Sequence, residues 1–231
     1  MLQGRRKISH KEIKQDKLVT VYFNARSWMD NPENRKKVLM GAGVIVVLVV
    51  VFFLYTSNRK SKNEEANVKV TNVLSLMQQE KYNEAINGDQ TAGIMGLNEI
   101  VSNYGSTESG ETARFYLANC LLSIKDYDNA LKNYNEYSGG NEIIKSACVS
   151  GIAAVYEAKG DLKQAAEYYE KAAKVNKELS TNQENLFNAI RNYVQINDKE
   201  NAKRVYKELK EQYPKSKFLT EIKRYEPEFK N

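Results

Sequence analysis

The chain has 231 residues, enough for one ordinary domain with appendages or for two small domains. Hydrophobic residues make up 42% of it and only three prolines occur, so most of the chain is predicted to fold, largely as helix, rather than stay disordered. Two cysteines are too few for a disulfide scaffold or a four-thiolate zinc site, and the single histidine, His10, removes most histidine-based catalytic and metal sites. The composition therefore disfavours an enzyme, and we expect no cofactor.

The net charge of +6 lies entirely in the N-terminal tail. Residues 1–37 hold ten Lys and Arg against four acidic residues, and the rest of the chain has equal numbers of basic and acidic side chains. The bulk of the protein thus lacks the positive surface of a nucleic-acid-binding protein. We expect no nucleic-acid partner.

An uncharged apolar run occupies residues 38–55. As a helix at about 1.5 Å per residue it covers roughly 27 Å, which is enough to cross a bilayer. The excess of basic residues before the run predicts a cytoplasmic N-terminus and a C-terminal part outside the cytoplasm. Because the charged region before the run is unusually long for a signal peptide and no small-residue cleavage site follows, we predict an uncleaved signal-anchor.

Apolar residues also recur at helical steps within the tail. Their spacing predicts a helix lying in the headgroup region of the membrane. A loosely structured basic tail held near anionic lipid fits the sequence equally well. The apolar residues are Leu18, Val21, Tyr22, Ala25, Trp28 and Met29.

A pattern recurs three times further along the chain. Ala130, Ala165 and Ala202 each follow an Asp by four residues and precede a Tyr by four, and the copies are 35 and 37 residues apart. Each copy is predicted to be two amphipathic helices joined by a tight turn. Because no single hairpin buries its apolar face, the hairpins are predicted to stack into a curved superhelix with the first helices on its concave face.

These residues resemble the tetratricopeptide repeat, with copies at 111–144, 146–179 and 183–216. The first copy departs from the pattern, with Arg114 at the family's aromatic position and Lys125 at its turn glycine. The resemblance implies an all-α fold, a TPR-like helical-hairpin solenoid preceded by a single transmembrane helix.

The predicted organisation has five parts. One of them, residues 56–110, combines a linker with a divergent first hairpin, whose helices are predicted over 73–86 and 97–104. The parts are a basic cytoplasmic tail (1–37), a transmembrane signal-anchor helix (38–55), a linker and divergent first hairpin (56–110), three TPR-like repeats (111–216) and a C-terminal cap helix (217–231).

This architecture resembles the ancillary SecYEG translocon subunit (YfgM-type) family. The exported part is also similar to the repeats of periplasmic cell-division coordinators and outer-membrane-assembly lipoproteins. The first resemblance implies a non-enzymatic, chaperone-like protein-binding module on the periplasmic side of a bacterial inner membrane. Its implied partners are secretory polypeptides, a SecYEG-type translocon or other envelope proteins, and a structural scaffold for division or outer-membrane machinery is the alternative.

The family presents fixed positions of each first helix to the concave groove, and carrying them over gives twelve candidate residues. Only Asn119 and Arg191 match the family's carboxylate clamp, so capture of a C-terminal carboxylate is not expected. Phe115 and Phe187 favour an extended or helical apolar peptide, although both rings fit packing against a neighbouring helix equally well. The candidates are Thr112, Phe115, Asn119, Leu122, Ala147, Ser150, Ala154, Glu157, Glu184, Phe187, Arg191 and Val194.

Two cysteines lie on the first helices of consecutive copies. Cys120 and Cys148 occupy repeat positions about two helical turns apart in register. We therefore predict buried free thiols that act as small apolar residues, rather than a disulfide.

Overall fold

The computed structural model describes residues 17–229 and divides the chain into two compact units, Met1–Asn58 and Arg59–Asn231. Residues 1–16, and with them His10, lie outside the described residues, as do the last two residues of the predicted cap. Within the described range the fold is all-α, as the sequence predicts, apart from one β-hairpin whose two strands have two residues each.

The first unit contains helix α1, Lys17–Met29, and the start of helix α2, Pro32–Gln78. Asn31 begins α2 by accepting a hydrogen bond from the backbone N–H of Glu33 at 2.9 Å, and Pro32 occupies the first helical position, where no N–H is needed. Within the described range, α2 is the one helix long and apolar enough to cross a membrane. Every side chain from residue 38 to 55 is exposed.

Helix α2 is longer than the predicted span. It continues without a break from Pro32 to Gln78, about 70 Å of helix. The segment predicted as a linker after residue 55 is therefore helical. The charged residues after the apolar run are good helix formers, and no Pro or Gly interrupts them before Gln78.

The second unit begins with the C-terminal part of α2, whose inner face is buried at Ala66, Val70, Val73 and Leu76. A short helix, a β-hairpin and another helix follow, and then three long helical hairpins and two short helices. In chain order these are α3 Tyr82–Asn87, β1 Gly88–Asp89, β2 Ile94–Met95, α4 Leu97–Tyr104, α5 Glu108–Ser123, α6 Tyr127–Glu136, α7 Glu142–Ala158, α8 Leu162–Ala173, α9 Asn182–Gln195, α10 Lys199–Gln212, α11 Phe218–Ile222 and α12 Glu226–Phe229.

Small residues let the two helices of each long hairpin approach closely. The alanines that mark the repeat on the first and second helices are all fully buried, at 0% exposure, because backbones meet where these side chains lie. Successive helices pack on one another from α4 to α10, and their apolar faces form two core clusters, both of which contact the half-buried rings of Tyr156 and Tyr168. These alanines are Ala118 with Ala130, Ala153 with Ala165, and Ala189 with Ala202.

The turn within each hairpin has the same backbone geometry every time. Lys125, Gly160 and Asn197 all adopt a left-handed conformation, with φ of 64°, 82° and 58°. The Asp that follows each of them donates its N–H to a carbonyl five residues back and accepts a hydrogen bond from the backbone of the next helix. One residue thus ends the first helix and caps the second.

A fourth copy of this turn lies at the end of α2. Glu80 has φ of 58°, and the N–H of Lys81 bonds to the carbonyl of Leu76 at 3.0 Å, but the Lys81 side chain makes no cap hydrogen bond. The predicted helix over 73–86 is therefore wrong, because the chain turns at 79–81. The second half of α2 is the first helix of the divergent hairpin.

The second helix of this hairpin is split by an insertion. Lys81 lies 45 residues before Asp126, whereas the later turns are 35 and 37 residues apart. The antiparallel strands β1 and β2, paired Gly88 to Met95, take up the extra residues between α3 and α4. Gly96 is required here, since a Cβ on it would lie 2.6 Å from the backbone oxygen of Ile86.

The C-terminal end of the stack is covered by α11 and α12. The predicted single cap helix is wrong in detail, because residues 223–225 interrupt it. Ile222 is fully buried in the last core cluster, and the ring of Phe218 packs against it from the same segment. These two residues close the apolar end that the last hairpin would otherwise expose.

Candidate peptide-binding groove

A groove of about 350 Å³ lies between the first helices of the three repeats, α5, α7 and α9. Seven of the twelve residues taken from the family pattern line it, and they come from all three helices. The seven are Phe115, Asn119, Leu122, Ala147, Ser150, Ala154 and Glu184.

An aromatic cluster forms one end of the groove. The ring of Phe115 is half-buried, with its centroid 5.4 Å from that of Tyr116 and 6.4 Å from that of Tyr134. The hydroxyl of Tyr134 donates a hydrogen bond to Oδ1 of Asn119. The contact fixes the Asn119 carboxamide, so that this end has an apolar surface with one oriented polar group.

Tyr134 reaches the groove because Gly151 gives it space. A Cβ on residue 151 would lie 2.5 Å from Cε1 and 2.8 Å from Cε2 of the ring. Both residues line the groove, although neither is among the twelve candidates; Tyr134 is the repeat tyrosine that follows Ala130 by four residues. The sequence signal for this contact is a glycine in the middle of a long helix, where it costs about 0.5–1 kcal/mol relative to alanine and therefore indicates a close approach.

Other lining residues outside the twelve candidates are mostly polar. The hydroxyl of Ser150 donates to Oδ1 of Asn185, which links α7 to α9 across the groove. The Ile143 side chain is 61% exposed and extends the apolar surface at the start of α7. The remaining residues of this set are Ser146, Tyr169, Thr181 and Asn188.

The structure places Phe187 away from the groove. Its side chain is only 7% exposed and stacks on Phe218, with ring centroids 5.1 Å apart. Val194 packs on the same core cluster, and the hydroxyl of Thr112 bonds to the carbonyl of Glu108 in its own helix. The ring of Phe187 therefore packs against a neighbouring helix, which was the alternative to a role in the groove.

Glu157 and Arg191 form a fixed link between α7 and α9. Nη2 of Arg191 donates to Oε1 of Glu157, while Asn192 and the hydroxyl of Tyr169 donate to Oε2 at 3.2 and 3.1 Å. Burial, together with the adjacent Glu157 carboxylate, raises the pKa of Tyr169. Because the two charges already pair with each other, they form a link between repeats and not a free charge for a ligand, although Nε of Arg191 is buried without a hydrogen-bond partner in the described chain.

The groove has only one charged side chain in the part of the chain that the structure describes. Glu184 lies at its edge and is exposed, and no Lys or Arg lines the groove. A terminal carboxylate would therefore meet no positive charge there. The surface instead suits a partner with apolar side chains and uncharged backbone groups.

Neither of the two cysteines lines the groove. Cys120 and Cys148 are buried free thiols, and burial raises their pKa to about 11 and about 12. Both are therefore almost wholly protonated near neutral pH and poor nucleophiles. No group of three or more potential metal ligands occurs among residues 17–229.

Comparison with known proteins identifies one repeat directly. Residues 184–216 match the family model of the tetratricopeptide repeat, and this segment comprises α9 and α10. No curated protein matches the chain. The matched hairpin shares its turn geometry with the two before it, so the stack is a TPR-like solenoid and the chain carries a protein–protein interaction module.

Proposed function

We propose that this protein is a membrane-anchored periplasmic interaction module that binds polypeptide segments in the groove between α5, α7 and α9. The observation that carries the proposal is the groove itself, where Phe115, Leu122 and Ala154 supply apolar surface and a single charge is present. Apolar side chains of a partner would give affinity there, and Asn119 would orient one backbone group.

The anchor in this proposal is the apolar part of α2. Its side chains are exposed over residues 38–55, which in water would be a large unfavourable apolar surface. Placing that surface in lipid removes the cost. The basic residues before it favour a cytoplasmic N-terminus at a bacterial inner membrane, with the repeats in the periplasm.

We further propose that the module is chaperone-like and acts beside a SecYEG-type translocon on emerging secretory polypeptides. The support is the architectural resemblance together with a groove suited to apolar, uncharged segments. Unfolded chains present such segments before they fold.

Photo-crosslinking in cells tests the groove. A benzoylphenylalanine at position 115 places the reactive group in the groove, and the same residue at position 135 is the matched control, since Asn135 is exposed on α6 and does not line the groove. We expect adducts with secretory polypeptides or translocon subunits from position 115 only. Equal adducts from both positions would contradict the proposal.

The alternative is a structural scaffold for envelope assembly. The observation in its favour is the rigid Glu157–Arg191 link, because fixed repeat geometry suits a permanent partner as well as a transient one. Purification in mild detergent separates the two functions. A stoichiometric complex with division or outer-membrane assembly proteins, and without translocon subunits, would identify a scaffold.

Topology is testable by cysteine labelling, because the native thiols are buried. A membrane-impermeant maleimide should label Lys207→Cys in spheroplasts, since the side chain of Lys207 is 75% exposed. Ser27→Cys, on the exposed surface of α1, should be labelled only after lysis. Labelling in the reverse order would refute the proposed orientation.

A further inference from the structure

A second cleft, of about 480 Å³, lies on the other side of α5 from the peptide groove. Its walls are α3 and α4 on one side and α6 on the other, and Leu117 and Leu121 of α5 form its floor. Since consecutive residues of a helix are about 100° apart, these two leucines point away from Phe115 and Asn119, which line the groove. The two surfaces are therefore separate.

Five asparagines dominate the walls of this cleft, which we call the asparagine cleft. Helices α3 and α6 each present two asparagines four residues apart and α4 presents one, and all five line the same space. They are Asn83 and Asn87 on α3, Asn98 on α4, and Asn129 and Asn133 on α6.

The Oδ1 atoms of these carboxamides are open, although Nδ2 of Asn129 donates to Oδ2 of Asp126 at 2.8 Å. Asn83 and Asn98 make no side-chain hydrogen bond to any residue of the described chain, and Nδ2 of Asn133 donates only to the backbone oxygen of Asn129, at 2.9 Å. Nδ2 of Asn87 donates to the backbone of its own helix in the same way. The Oδ1 atoms are left to accept hydrogen bonds from a ligand or from water.

The charges in the cleft cancel one another. Arg114 donates to Glu136 at 2.8 Å and to the buried Glu111 at 3.2 Å. Asp126 is occupied as the N-cap of α6, and Lys132 is the remaining charged residue of the lining. With two basic and two acidic lining residues, the cleft does not select a charged ligand.

The spacing of the carboxamides matches that of an extended peptide. Residues four apart on a helix are about 6.0 Å apart along its axis, which applies to Asn129 and Asn133 and to Asn83 and Asn87. Two residues of an extended chain span about 6.6 Å. A carboxamide has the same donor and acceptor as a peptide group, so successive asparagines can pair with alternate residues of a strand laid along the cleft.

We propose that the asparagine cleft is a second binding site for an extended polypeptide. The cleft would bind the main chain of the polypeptide and would not select for the charge of the polypeptide's side chains. A glycan is the less favourable occupant, because the described lining contains no aromatic ring whose negative face would attract the C–H bonds of a sugar. The departure of Arg114 from the repeat pattern fits this role. Its guanidinium bonds to both acidic neighbours, Glu111 and Glu136, at the position where the repeat pattern has an aromatic ring.

The test uses the full-length protein in detergent and a fluorescein-labelled peptide of alternating Thr and Ser, followed by fluorescence anisotropy. A second peptide carries N-methyl groups on alternate residues, which removes main-chain donors without changing the side chains. Asn129→Ala and Asn133→Ala should each weaken binding about 5-fold, as one lost hydrogen bond implies. N-methylation should weaken binding to the unsubstituted protein by at least as much.

The matched control is Asn135→Ala on the same helix, since Asn135 bonds to the backbone of Leu131 and lies outside the cleft. It should leave binding unchanged. Asn98→Ala on the opposite wall gives an independent second variant that breaks no side-chain hydrogen bond within the described chain, and because alanine has the higher helix propensity, loss of folding is not expected from it.

Four results would overturn the inference. The first is no saturable binding of the peptide, and the second is binding that is unaffected by Asn129→Ala, Asn133→Ala and N-methylation. The third is competition by an N-acetylglucosamine oligomer that binds more tightly than the peptide. If Leu122→Arg abolished binding while the cleft variants did not, the peptide would occupy the groove between the first helices, which would refute the second site and support the proposed function.

Discussion

Because Gly151 contacts the ring of Tyr134, we expect Gly151→Ala to destabilise the protein, although a glycine-to-alanine change in a helix ordinarily stabilises it. Gly151→Ala in a helix interior ordinarily stabilises a protein by about 0.5–1 kcal/mol. Here the new Cβ would lie 2.5 Å from Cε1 of the Tyr134 ring, about 1 Å inside normal carbon–carbon contact. The ring must move.

Two costs follow from moving that ring. Overpacking of this kind costs about 1–3 kcal/mol, and loss of the Tyr134 hydroxyl bond to Asn119 adds about 0.5–1.5 kcal/mol. The gain in helix propensity offsets only part of these two costs, so we expect Gly151→Ala to lower the free energy of unfolding by about 1–3 kcal/mol. Urea denaturation of the full-length protein in detergent, followed by far-UV circular dichroism, measures this change.

The control places the same substitution where the clash is gone. Leucine lacks the ring atoms that would meet the new Cβ, so in a Tyr134→Leu background Gly151→Ala should stabilise the protein by about 0.5–1 kcal/mol. Opposite signs in the two backgrounds would confirm the steric explanation. A stabilised Gly151→Ala protein with Tyr134 intact would refute it.

Three further predictions concern a cap, a titration and the thiols. Lys81→Asp supplies the side-chain cap that the other three turns already have, and it should raise the urea midpoint by an amount equivalent to about 0.5–1 kcal/mol, whereas an unchanged midpoint would contradict the shared turn geometry. Burial opposes ionisation of Glu170, but hydrogen bonds from Arg204 and from a tyrosine outweigh it and hold the carboxyl pKa below 4.5. Glu170→Gln should therefore lower the free energy of unfolding by about 1–2 kcal/mol near neutral pH, and the difference should disappear as the pH falls below 4.5 towards the folded-state pKa; a difference that grew in acid would contradict the assignment. Cys120 and Cys148 should react with maleimide only after denaturation, as followed by mass spectrometry, and rapid labelling of the folded protein would show that they are accessible.

The tertiary structure decided which aromatic residues reach the groove. Phe115 and Phe187 occupy the same repeat position, yet the first lines the groove and the second is buried under Phe218. Helical period determines only which face of its own helix a residue occupies. Whether that face is covered depends on the segment packed against it, and α11 lies more than twenty residues further along the chain.

The asparagine cleft also depends on tertiary contacts. Asn83 and Asn133 are fifty residues apart in the sequence, and each by itself is indistinguishable from an ordinary solvated side chain on a helix. They face one space only because α3, α4 and α6 pack around α5. The inserted strands β1 and β2 had no periodic signal, since each contains only two residues.

What the residues determine by themselves is local. The run at 38–55 is apolar whatever surrounds it, and the alanines at fixed distance from a turn predict hairpins because only small side chains allow two backbones to approach closely. Composition also removes most metal and nucleophile chemistry in advance. Long-range packing determines which helix faces are covered, where the second helix of the first hairpin is split and which asparagines lie together in one cleft. A pattern along the sequence does not contain that information.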